Sequence, residues 1–279
     1  MRNKLRLGIG AGLAASAVLA LAGCSNSGGN SANGSTMSLV ADAMNKADSA
    51  GTVKIAGTIS GSDVSMTLNG DEQYSPSLEM SLNMQTQGQS ISEIFLGDKI
   101  YMDYPALSSE LGGGKQWDEI DLSEAGGSLG ALSSIINSAR DENPTTQMSA
   151  LLASKEITKV GTETVQGQQT THYSGTLNAN DFLDDSAQTS QLSSSQISAL
   201  KSLLQSGQVS SEKVDLWVAS SGLPVQVKVA VQTSAAGTTD VTLDMSDWGA
   251  PFQVSAPPAG EVADITSEIS AAMASASAN

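Results

Sequence analysis

Val214-Asp215-Leu216-Trp217-Val218-Ala219, Val225-Gln226-Val227-Lys228-Val229-Ala230-Val231-Gln232 and Val241-Thr242-Leu243-Asp244-Met245-Ser246 are three runs with an apolar side chain at every second position. A period of two belongs to a β-strand, whose successive side chains point to opposite faces. Gly222-Leu223-Pro224 and Ala236-Gly237 fall between the runs and carry turn chemistry. The spacing therefore predicts a three-stranded antiparallel meander that buries Val214, Leu216, Val218, Val227, Val229, Leu243 and Met245 on one face. The alternating Asp215, Gln226, Lys228 and Asp244 leave the opposite face polar, so such a sheet is covered on one side only.

The same pattern recurs toward the N-terminus. Val64, Met66 and Leu68 alternate with Ser65, Thr67 and Asn69, and Leu78, Met80, Leu82 and Met84 alternate with Glu79, Ser81 and Asn83. Val53, Ile55 and Ile59 form a strand before the Gly61-Ser62 turn. Residues 91–96 lead through Gly97-Asp98, a two-residue hairpin signal, to a return strand at 99–103. Short strands are also predicted at 117–122, and at 157–165 and 170–177 across Gln166-Gly167. Leu39, Val40, Ala43, Met44 and Ala47 instead recur every three or four residues, which predicts a helix starting at Thr36 or Ser38 and stopping by Gly51. Further helical stripes are expected at 129–136, 148–152 and 181–204, the last interrupted by a serine-rich centre. Residues 248–258 close the domain in extended form, and the Ala/Ser-rich tail at 265–279 is expected to fray.

The first 23 residues have the layout of a secretory leader: basic Arg2, Lys4 and Arg6, then a short run of small apolar residues from Leu7 to Leu21. Leu21-Ala22-Gly23-Cys24 resembles the bacterial lipobox. That resemblance implies cleavage before Cys24, a diacylglycerol on its sulfur, and residence on the outer face of the cytoplasmic membrane. Two acyl chains give the stable attachment that one does not. Cys24 is the only cysteine, so an intrachain disulfide is excluded. Residues 24–35, rich in Ser, Gly and Asn, read as a flexible tether, and 36–264 as a single domain.

The chain carries 13 Lys and Arg against 29 Asp and Glu, a net charge of −16. Losing the three basic leader residues makes it −19. An acidic domain has no electrostatic route to a phosphate backbone, which argues against nucleic acid as a partner.

Two β-meanders with helices between them resemble the LolA-like lipoproteins of actinobacteria, the LppX, LprA, LprF and LprG type. The residues that carry the resemblance are the lipobox, the hairpin Leu96-Gly97-Asp98-Lys99-Ile100-Tyr101, Gln116-Trp117, Leu216-Trp217-Val218 with Gly222-Leu223-Pro224-Val225, and Asp247-Trp248-Gly249 leading to Pro257-Pro258. It implies an α+β fold in which a strongly curved antiparallel half-barrel wraps over a few helices, with an apolar cavity between. It also implies a lipid or lipid-like ligand in that cavity, and possible work as a lipid carrier or chaperone. The residues give independent support. Each clean strand has one apolar face, the fillers include only three Phe, and the ten Met are adaptable side chains suited to varied apolar partners. The expected cavity lining is Val64, Met66, Leu68, Leu78, Met80, Leu82, Met84, Ile94, Val227, Val229 and Leu243. The other reading of the same side chains is ordinary core, giving a surface lipoprotein with a filled groove that acts on an envelope protein partner as sensor or scaffold. A monomer is expected in either case.

Catalytic and metal chemistry find little footing. His172 is the sole histidine, with no cysteine to share a metal and no distinctive nucleophile or orienting acid. The acidic stretch Asn178 to Asp185 lacks the Gly and terminal Glu of a calcium loop and reads as a helix start. Gly112-Gly113-Gly114-Lys115 has no following Ser or Thr, so it fails as a phosphate loop and reads as a flap, with Gly126-Gly127 a second flap candidate. No cofactor, metal or enzymatic activity is expected.

Overall fold

The computed structural model describes residues 31–62, 64–75, 77–105, 108, 114–124, 157–178, 211–233 and 237–277. The leader, Cys24, the helical stripes expected at 129–136, 148–152 and 181–204, and both glycine flaps except Gly114 lie outside them.

Helix α1 (Ser31–Ala50) precedes six strands: β1 (Thr52–Ser60), β2 (Ser65–Gln73), β3 (Glu79–Thr86), β4 (Gln89–Leu96), β5 (Lys99–Asp103) and β6 (Trp117–Asp121). A second set follows: β7 (Thr158–Val165), β8 (Gln168–Asn178), β9 (Ser211–Ala219), β10 (Pro224–Thr233) and β11 (Gly237–Ser246), then β12 (Val262–Asp264) and α2 (Thr266–Ser277). All twelve strands join one open sheet in the order β12-β6-β5-β4-β3-β2-β1-β11-β10-β9-β8-β7. Each meander is thus built from neighbours in sequence, and β1 against β11 seams the two together, with Lys54 opposite Ser246 and Ser60 opposite Asp240. The result is a curved half-barrel with helices on its inner face. Antiparallel pairing was expected throughout, but β12 runs parallel to β6, pairing Val262 with Trp117.

Local chemistry explains the hairpins. The β7–β8 turn places Gln166 at φ 50° and Gly167 at φ 74°, and the β3–β4 turn places Gln87 at 48° and Gly88 at 79°. Two consecutive positive φ values make the turn whose twist matches the flanking strands, and Gly takes its second position without strain.

Two glycines inside strands have a different role. Gly57 on β1 and Gly70 on β2 both face inward. A Cβ on Gly70 would run into the Ser81 carbonyl and lie 2.7 Å from Leu82 Cδ2 and 3.0 Å from Leu82 Cα; one on Gly57 would run into the Thr242 carbonyl. Without side chains here, the central strands can bend sharply over the concave side.

The inner face packs in three clusters. Val40, Ala43, Met44 and Ala47 of α1 lie on Val53, Tyr74, Tyr173, Val214, Leu216, Val227, Val229 and Met245. Tyr74 donates its hydroxyl to the Ala47 carbonyl, tying the last turn of α1 to β2. Ile265 and Ile269 cover Phe95, Ile100, Ile120 and Leu122. Met66, Leu68 and Met84 form the third, with Ile55, Ile59, Ile91 and Leu243 around them.

Three expectations change. The helix begins at Ser31, so residues 31–35 of the expected tether are helical. Leu39, placed in the buried stripe, is 50% exposed, because the buried set runs Val40, Ala43, Met44, Ala47 and turns Leu39 to the flank. The tail expected to fray forms α2, held by fully buried Ile265 and by the Asp264 carboxylate accepting from the Thr266 amide at 2.9 Å, a helix cap. Two anchoring isoleucines outweigh an Ala/Ser composition. No helix among the described residues is long and apolar enough to cross a membrane.

Candidate functional site on the concave face

Cross-strand partners point to the same side of a sheet, so the register assigns every inward residue. One row reads Val53, Glu72, Met80, Phe95, Ile100, Ile120 from β1 to β6. The next reads Met245, Ile55, Gly70, Leu82, Glu93, Met102, Asp118 from β11 to β6. A third runs Tyr173, Leu216, Val227, Leu243, Gly57, Leu68, Met84, Ile91.

Most of the expected lining falls on this face. Met66, Leu68, Met80, Leu82, Met84, Val227, Val229 and Leu243 are inward by register, and Val64 and Leu78 precede β2 and β3 in step with them. Ile94 is not. It pairs with Ser81 and Tyr101, on the convex face with Glu119. The run 91–96 has apolar residues at 91, 94, 95 and 96, so its alternation is ambiguous, and burial of Phe95 under α2 decides the phase. Depth also divides the set. Val227 and Val229 are buried beneath α1, and Met66 and Met84 are buried too, whereas Leu78, Met80, Leu82 and Leu243, with their neighbours Ile91 and Met102, keep part of their surface accessible. The β2–β5 stretch of the concave wall is therefore apolar and incompletely covered.

Three carboxyls point to the concave side of the sheet, Glu72 on β2 and Glu93 on β4 within that wall and Asp118 on the neighbouring β6. Glu72 and Glu93 are half-buried among apolar neighbours, and loss of water pushes each up to about 7. Asp118 is 0% exposed. Its Oδ2 accepts from Ser108 Oγ at 2.8 Å, while Oδ1 has no partner among the described residues. Burial raises its carboxyl above the usual range against the pull of that hydrogen bond. Sequence reasoning overlooked all three acids, although parity with Leu68 and Gly70, with Ile91 and Phe95, and with Ile120 and Leu122 respectively points them inward.

A cleft of about 630 Å³ opens between α1 and the second meander, lined among others by Leu39, Ala43, Lys46, Lys159, Tyr173 and Val218. This lies within the roughly 300–1,000 Å³ range of ligand pockets. None of the expected lining residues borders it. Lys46 is fixed there by donating to the Ser221 carbonyl at 2.6 Å.

His172 lies on the convex face. It stacks on Trp217 with ring centroids 4.3 Å apart, and its nitrogens lie 2.9 Å from Asp215 Oδ1 and 3.2 Å from Glu163 Oε1. Burial would lift the Asp215 carboxyl, but hydrogen bonds from Lys213, Ser174 and His172 outweigh it and hold the group below its usual range. The Ser174 hydroxyl in this cluster bonds to Asp215, and no group of three His, Cys, Asp or Glu able to hold a metal occurs among the described residues. The arrangement ties β7, β8 and β9 together.

No family model matches the chain. Among solved structures, the lipoprotein LppX of Mycobacterium tuberculosis superposes with a TM-score of 0.51 at 18% identity, over 80% of this chain and 100% of that one. The chain has the LppX fold. Two sequence relatives are from Streptomyces. An uncharacterized 31.2 kDa protein encoded in the rplA–rplJ intergenic region of Streptomyces griseus is 31% identical over 178 residues, 63% of this chain and 56% of that protein. A Streptomyces coelicolor protein carrying a lipoprotein designation is 27% identical over 173 residues, 61% of this chain and 50% of its own length. The chain thus spans about half the length of the curated relatives it matches.

Proposed function

We propose that this protein is an extracytoplasmic lipoprotein, anchored through diacylated Cys24, that holds a lipid or other hydrophobic ligand against the concave face of its sheet without chemical turnover. The observation that carries the reading is the partly accessible apolar wall formed by Met80, Leu82, Ile91 and Met102, beside inner residues that α1 and α2 cover. Covering such a wall with hydrocarbon gains roughly 25 cal/mol per Å² removed from water. The lipoprotein designation of the S. coelicolor relative and the fold shared with LppX support the same reading.

Native mass spectrometry of the full chain purified from membranes tests it. Masses in excess of the acylated polypeptide that dissociate as lipid are expected; a bare acylated mass from every preparation would count against a carrier. Replacing Cys24 with Ala should move the protein from the membrane to the soluble fraction on fractionation. Tryptophan scanning separates wall from core. Leu82→Trp, on the accessible wall, should cost under about 1 kcal/mol and evict co-purifying lipid, whereas Met84→Trp, already buried, should cost ~1–3 kcal/mol from overpacking.

A further inference from the structure

We propose that the cleft between α1 and strands β7–β9 binds the anionic head of an amphiphile, with the ammonium groups of Lys46 and Lys159 on its two sides. The site is separate from the apolar wall, because β1, β11 and β10 lie between β2 and β9. Two local irregularities of the backbone bring the lysines to it. On β7 the register slips between Lys159, opposite Tyr173, and Gly161, opposite His172, so that Val160 is an extra residue. A regular strand would put Val160 on the side of Tyr173 and turn Lys159 away. The bulge reverses this: Lys159 shares the inner side with Tyr173 and lines the cleft, while Val160 is left 58% exposed. Exposing a valine so that a lysine can face inward runs against burial. Guarding the sheet edge would account for a bulge and a lysine on β7, but not for a second lysine on the facing helix.

That second lysine is Lys46. Asp42 stands one helical turn before it, the usual place for an ion-pair partner, yet Lys46 reaches to the β9–β10 hairpin and donates to the Ser221 carbonyl at 2.6 Å. Its stem lies over Gly222, at φ 83°, where a Cβ would come within 2.7 Å of Nζ and 3.0 Å of Cδ. Between the two lysines the floor is apolar, made of buried Ala43, Tyr173 and Val218. An ammonium carries three N–H donors, and the Ser221 carbonyl takes one of those on Lys46. Charge-assisted bonds from the others meet a phosphate or carboxylate oxygen, and the apolar body of the ligand covers the floor. Two ammonium groups against the Asp42 carboxylate give the described lining a positive balance. This lining attracts an anion that the chain as a whole, at −16, repels.

Titration calorimetry of the full chain with octyl phosphate, octanol and inorganic phosphate, at about pH 7 and low salt, tests the site. Octyl phosphate is expected to bind at least about tenfold more tightly than either of the others. In Lys46→Gln, and separately in Lys159→Gln, its advantage over octanol should fall to about threefold or less while octanol binds as before. Lys159 is exposed, so its replacement leaves the core as it was. Leu82→Trp, on the apolar wall, should leave the preference unchanged. Equal affinity for octyl phosphate and octanol in the wild type, an unchanged preference in both Gln variants, or its loss in Leu82→Trp would overturn the site. Inorganic phosphate binding as tightly as octyl phosphate would overturn the amphiphile as its ligand. None of these outcomes touches the hydrophobic-ligand reading, which stands or falls on lipid that co-purifies with the protein.

Discussion

Replacing Glu72 and Glu93 together with Gln should stabilise the protein at pH 8 by a few kcal/mol and leave it nearly unchanged at pH 5. Both carboxyls titrate near 7 in the folded chain, against an ordinary 4.5, because burial among Val53, Met80, Leu82 and Met102 penalises the charge. Below the ordinary value both states are protonated and the groups cost nothing extra. As pH rises toward 7 the unfolded chain ionises freely while the folded one resists, so stability falls by up to about 1.4 kcal/mol per pH unit for each group. Above 7 the folded carboxyls ionise as well and the loss levels off. Because both side chains keep some contact with water, on the order of a few kcal/mol for the pair is the expected ceiling. Asp121, held low mainly by the Ser123 hydroxyl, and Asp215, held low by its donors against burial, act with the opposite sign. Their contribution is present above their unfolded values and lost as pH falls through the folded ones. Urea denaturation across pH should therefore show a maximum near about pH 5, with the alkaline limb flattened in the double Gln variant.

The second large effect concerns curvature. Gly70→Ala should cost roughly 2–3 kcal/mol, with Gly57→Ala similar, because the new methyl meets backbone that cannot step aside. At Gly70 the obstacles are the Ser81 carbonyl and Leu82 Cα; at Gly57 it is the Thr242 carbonyl. Gly161, on edge strand β7, is the control: nothing lies within 4 Å of its virtual Cβ and its φ is ordinary, so Gly161→Ala should be neutral or stabilising by a few tenths of a kcal/mol. Equilibrium urea curves on the three variants decide this. Equal losses at 70 and 161 would mean that the cost is one of strand glycines in general, not of the bend.

The strands were legible because alternation is a local property: Val225 to Val231 and Leu78 to Met84 state their faces without help from the rest of the chain. So were α1 and the Gly97-Asp98 and Gln166-Gly167 turns. What stayed hidden depends on partners remote in sequence. Nothing in 262–264 announces a parallel strand, because its pairing with Trp117 exists only once β6 is in place. Ile265 and Ile269 look sparse in a serine-rich tail until Phe95 and Ile120 supply a surface for them. At the site, register turns Met66, Leu68, Met80, Leu82, Met84, Val227, Val229 and Leu243 inward, and Ile94 outward because four apolar residues in 91–96 support either phase. The acids were overlooked for a different reason. An inward carboxyl breaks the apolar rhythm and reads as an outward residue or a strand end, which is how Glu93 and Asp118 passed unnoticed.

The position of β1 has a consequence for how such a chain comes to be made. The first strand in chain order sits in the middle of the sheet, and its second neighbour, β11, is made only after nine further strands. As the chain emerges, the first meander can zip up hairpin by hairpin, yet one side of β1 keeps its backbone donors and acceptors unpaired until residue 237 and beyond have followed. An exposed edge of that kind invites pairing with another chain. Folding of this chain thus favours a holding factor, or synthesis fast enough that the far half arrives before a stranger does.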